Sequence, residues 1–104
     1  MMRSARIAKM EMARGAVSES AHLYHMKWLL EGAPAAATVI GKVEMNAAGY
    51  PTSAGILVAA GLSDHYDTSV AGVIAADPQH PDCSLAYAPE TGTIAIRYAD
   101  DKGC

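Results

Sequence analysis

Residues 19–34 read ESAHLYHMKWLLEGAP, and the fold turns on how that stretch begins and ends. Leu23, Met26, Leu29 and Leu30 recur at helical spacing, and Trp28 adds apolar area to the same segment. Gly32 accepts the left-handed conformation that closes a helix, and Pro34 cannot continue one. Upstream, Ser18 or Ser20 offers an oxygen to the free N–H groups of a first turn. The stretch therefore predicts a helix over residues 19–31. Residues 3–14 contain no Pro or Gly and are rich in Ala, Met, Arg and Lys, so they predict an earlier helix. Ile7, Met10 and Ala13 lie on one side of it, with Arg3, Arg6 and Lys9 largely on another. Gly15 is expected to separate the two helices.

Past Pro34 the apolar period changes from about 3.6 to about 2. In residues 38–45 Val39, Val43 and Met45 alternate with Thr38, Lys42 and Glu44, with Ile40 as the one apolar exception, which predicts a half-exposed strand. Residues 46–51 form a turn cluster with Gly49 and Pro51. Residues 54–60 (AGILVAA) and 69–76 (SVAGVIAA) are apolar on both faces and read as central strands, with helix as the alternative for runs this short. Two prolines bar residues 77–82 from a central strand. Residues 84–88 and 93–99 flank Pro89-Glu90-Thr91-Gly92, a four-residue hairpin turn. The expected fold is α+β: two N-terminal helices in a helical segment, 1–33, then a strand-rich domain, 34–104, built as a small antiparallel five-stranded sheet or barrel.

The chain has 104 residues, enough for one domain. Half of them (51%) are hydrophobic, so it has the means to build a core, but much of that share is Ala and Phe is absent. The expected core is thin and completed by a neighbouring chain. No apolar run approaches the roughly 20 residues of a membrane span. Net charge is -3, with a balance of +3 over residues 1–42 and -6 over the remainder. That argues against a general nucleic-acid binder and suggests head-to-tail contacts between copies. The basic N-terminal residues are not followed by the apolar stretch of a secretory signal. Cytoplasmic synthesis is expected, with Cys83 and Cys104 as reduced thiols.

The sharpest metal pattern joins His22-x-x-His25 to His80-x-x-Cys83, three imidazoles and a thiolate of the kind that close a tetrahedral zinc site, if the fold brings the halves together. Otherwise they are separate surface histidines and a loop, and no cofactor is expected. Ser63-Asp64-His65-Tyr66-Asp67 holds the residue types of a hydrolytic site, although sequence neighbours rarely reach that geometry. There is no phosphate-binding loop and no G-x-S-x-G elbow. A small enzyme or ligand-binding domain using His65 or the His80/Cys83 loop is the alternative to an assembly protein. As contact residues the sequence offers Tyr24 and Trp28 beside His22 and His25, Ile94, Ile96 and Tyr98 in the last strand, and Arg3, Arg6 and Lys9 as electrostatic contacts.

Val39-Ile40-Gly41-Lys42-Val43, a turn region, and Val70-Ala71-Gly72-Val73-Ile74-Ala75-Ala76-Asp77 before a final hairpin resemble small bacteriophage head decoration, or capsid cement, proteins over residues 38–99. The front of the chain departs from that pattern, since those families tend to carry an extended arm there. The resemblance implies a non-enzymatic, oligomeric virion protein whose partner is itself or a larger protein assembly.

Overall fold

A computed structural model describes residues 2–35, 37–98 and 103–104. A single helix, α1, runs unbroken over Arg3–Leu30 where two were expected. Glycine costs a helix interior about 1 kcal/mol relative to Ala. Met10 and Ala13 before Gly15, and Val17 and Ala21 after it, are all buried along one face, and that burial outweighs the cost. Ser18 and Ser20 are accordingly interior positions and not caps; Ser20 Oγ donates to the Ala59 carbonyl at 3.2 Å. The helix stops as the sequence predicts. Gly32 takes φ 91°, and the Ala33 N–H returns to the Trp28 carbonyl at 3.1 Å.

Residues 54–60 fold as a helix, α2 (Ser53–Ala60), and not as a central strand. Their apolar content suits either state, and the ends decide. Thr52 Oγ1 accepts from the Gly55 N–H at 3.0 Å, and Gly61 closes the helix at φ 68°. The single strand expected over 38–45 is a hairpin, β1 (Thr38–Ile40) and β2 (Val43–Met45), turned at Gly41, φ 62°. That turn sets Ile40 opposite Val43 and accounts for the break in alternation. Of residues 69–76 only β3 (Val73–Ala75) is strand. It pairs antiparallel with β4 (Ser84–Ala88), which pairs with β5 (Thr93–Ile96) across the predicted turn. Ala99, expected at the end of the last strand, lies outside the described residues. The class is α+β, but the strands form separate sheets of two and three, neither one five-stranded sheet nor a closed barrel.

One apolar cluster joins α1 to the rest: Met10 and Val17 meet Ile56, Ile74, Leu85 and Tyr98. Cys83 and Cys104 are joined in a disulfide, so the expectation of two free thiols is corrected. Arg6 Nε donates to the Cys104 carbonyl at 2.6 Å, which ties Cys104 to the first turns of α1.

The bridge spans 21 residues, so reduction, or Cys83→Ala with Cys104→Ala, is expected to cost about 3 kcal/mol in urea unfolding; an unchanged midpoint would count against the clamp. Two glycines should respond in opposite directions. A Cβ at Gly55 would overlap the Glu44 carbonyl, whereas at Gly15 it meets no atom within 4 Å. Gly55→Ala is expected to destabilise by about 2 kcal/mol, and Gly15→Ala to stabilise by about 0.5–1 kcal/mol, both read from the same denaturation experiment.

Candidate functional site

A helix laid along a body buries one face, and residues three and four apart share a face. In α1 the buried row is Met10, Ala13, Val17 and Ala21. A second row at the same spacing looks the other way. Met12 is 73% exposed, Leu23 53%, Met26 53% and Leu30 86%. At about 100° per residue these four fall within an arc of about 60°. Ala5, Ala8 and Glu19 share that arc and are exposed as well. The helical spacing of Leu23, Met26, Leu29 and Leu30 is therefore real, but it marks the solvent side of the helix and not its core side. What the sequence reading missed is that α1 carries two apolar rows; the outer one is legible once Met12 is counted with Leu23, Met26 and Leu30.

The residues predicted to make contacts divide. Arg3 is exposed. Arg6 and Lys9 turn inward: Lys9 Nζ donates to the Ala76 carbonyl at 2.7 Å and lies 4.8 Å from the centre of the Tyr66 ring. Tyr66 in turn donates its hydroxyl to the Lys9 carbonyl at 2.8 Å. The basic front is thus folded against the acidic back of its own chain. Tyr24 is half-buried with the Lys27 ammonium 4.6 Å above its ring. Trp28 packs on Gly49, where a Cβ would overlap the indole. His25 stacks on Tyr50, with centroids 4.2 Å apart, and its Nδ1 bonds the Gly49 carbonyl at 2.8 Å. These rings pin the β2–α2 loop to the far end of α1. Ile94 is half-buried and Ile96 46% exposed beside α1. Tyr98 is buried next to the Glu11–Arg14 ion pair. Burial raises its phenol above the ordinary value, and Glu11 adds to that.

The proposed metal ligands are not brought together. His22 is exposed, His25 is engaged with the loop, and Cys83 is in the disulfide. His80 Nδ1 bonds Asp77 Oδ1 at 2.7 Å near the Lys9 end of α1, about 24 Å of helix away from His25. Among the described residues no group of His, Cys, Asp and Glu could hold a metal ion. His65 is exposed on the rim of an open groove with Asp64, Lys9 and Asp77, and Asp67 Oδ1 accepts from the Ser69 N–H in a local turn. A more enclosed cleft of about 250 Å³ lies between α2 and residues 68–74. Ile56, Leu57 and Val73 line it, and its Tyr87 hydroxyl is already donated to the Pro51 carbonyl at 2.7 Å. Burial holds that phenol well above its usual range, so the cleft offers apolar contact and no group that exchanges protons near neutral pH.

No helix among the described residues is long and apolar enough to cross a membrane. Compared with protein families, curated proteins and solved structures, the chain matches none.

The Asp77–His80 contact closes the turn that leads into Cys83. Burial pulls the Asp77 carboxyl upward, but the bond from His80, its charge and the Gln79 N–H together hold it below the ordinary value. A carboxyl depressed in the folded state stabilises above its unfolded pKa, and that contribution fades as pH falls through the folded value. Asp77→Asn is expected to flatten the loss of stability between about pH 5 and pH 2 relative to the native chain. Parallel acid limbs in urea titrations of the two proteins would overturn this.

Proposed function

We propose that this chain is a non-enzymatic structural protein that works by assembly, as a homo-oligomer or as a component of a larger particle. One observation carries the reading: a row of large apolar side chains is held at the surface along the outer face of a rigid helix. Large exposed apolar side chains grouped on one face, as Leu23, Met26 and Leu30 are, mark interaction sites. Cys83 is tied in a disulfide, so it is no free thiol beside His80, and His65 stands apart on an exposed rim. The disulfide also favours a working place outside the reducing cytoplasm, such as a secreted particle or a virion surface. A capsid-decoration role, which the resemblance over residues 38–99 implies, accords with that setting.

The test is the native mass. In sedimentation velocity the native chain is expected to run above its 10.8 kDa monomer mass. Leu23→Glu with Leu30→Glu, both at exposed positions, should run as a monomer with unchanged circular dichroism. A native chain that stays monomeric at every concentration, matches the double variant and brings down no partner particle from its source would overturn the reading.

A further inference from the structure

Resting on that reading, we propose that the outer face of α1 is covered by the same face of a second copy, lying antiparallel about a two-fold axis near residues 17 and 18. The pattern of sizes along the row carries this. Small residues, Ala5 and Ala8, stand at its N-terminal end, and large ones, Met26 and Leu30, at its C-terminal end. An antiparallel partner sets Leu30 over Ala5 and Met26 over Ala8, with Met12 beside Leu23. Large meets small at both ends of the seam, as interdigitated packing requires, and the Met12 and Leu23 side chains fill the stretch between the ends and the axis. Glu19, the one charge in the row, comes opposite Gly15, whose outward side is open within the subunit. The absent side chain leaves room for the glutamate stem to reach the edge of the seam. A parallel pair in register does the reverse. It sets Glu19 against Glu19 in a partly desolvated seam, and Ala against Ala at one end where the helices would gape.

The geometry of the subunit permits the pairing. The helix is about 42 Å long, which matches the 45 Å long axis of the molecule, so the two rods meet end to end over their full length. The core row faces away from the seam, so both bodies lie outside it. An isologous contact of this kind closes on itself, and the copies contribute identical surfaces.

Cysteine cross-linking tests the direction. The chain's own cysteines are tied in the Cys83–Cys104 disulfide, so single-cysteine variants report cleanly under mild oxidation. Ala8→Cys mixed with Met26→Cys is expected to give cross-linked dimers, and either alone to give none. Gly15→Leu provides a second reading. It projects into open space within the subunit, so circular dichroism and melting should be retained, while the dimer dissociation constant should rise by roughly tenfold or more. Self-cross-linking of Met26→Cys alone, or an unchanged dissociation constant in Gly15→Leu, would overturn the antiparallel pairing. An oligomer without these cross-links would sink the pairing but leave the assembly reading standing. A native chain that is monomeric and brings down no partner particle would remove both.

Discussion

A long helix has two sides, and this chain has body enough for one. The molecule measures 45 × 21 × 17 Å, which is a rod with a single layer laid along it. The side of α1 facing that layer is built from Met10, Ala13, Val17 and Ala21. Two of those four are Ala, so the neighbouring elements come in close and the interior needs little volume. The Ala-rich composition makes a thin core sufficient, and a thin core leaves the far side of the helix bare.

The body is held to the rod at both ends by different chemistry. At the N-terminal end the Cys83–Cys104 bridge, the Arg6 bond to the Cys104 carbonyl and the Lys9 bond to the Ala76 carbonyl tie Ala76, Cys83 and Cys104 to the helix. At the C-terminal end the stack of His25 on Tyr50, with Trp28 against Gly49, fixes the loop before α2. This use of charge within the subunit changes what is left for partners. Opposite charge on the two halves of the sequence suggests complementary surfaces on separate molecules, but two of the basic side chains are spent on carbonyls of the same chain. Arg3 stays exposed, and the outer face of α1 between its ends is mainly apolar.

Local chemistry was legible wherever a backbone constraint stood beside the pattern. Gly32 and Pro34 mark the end of α1, and Pro89 to Gly92 marks the hairpin between β4 and β5, because those residues restrict or extend φ in ways a neighbour cannot undo. The α+β class follows from the change of period after Pro34. Where only apolar content was available, the reading failed in a specific way. Residues 54–60 have the composition of a buried strand, and the deciding features, the Thr52 cap and the Gly61 stop, lie just outside the apolar run. Gly15 looked like a break because propensity is local, whereas the burial that overrides it comes from residues 56 to 98. The disulfide was missed for a related reason. Compartment was inferred from the N-terminal residues, and nothing in the spacing of two cysteines says that the fold brings them together. The outer row was legible in part: Leu23, Met26 and Leu30 stood at helical spacing, but spacing alone does not say which side of the helix meets the body.

Gly15 shows how a cost inside one subunit points beyond it. It is absent from the left-handed positions of this chain, so no turn requires a glycine there. No atom stands within 4 Å of where its Cβ would be, so no close approach within the subunit requires one either. Alanine would serve the isolated helix better by every local measure. Gly15 stands beside the outward row, one turn from the one charge in it, and the close approach of a partner would give it a physical use. Within a lone subunit the position has no structural use; in the antiparallel pairing we propose, it is the space into which the Glu19 side chain of a second copy would fit.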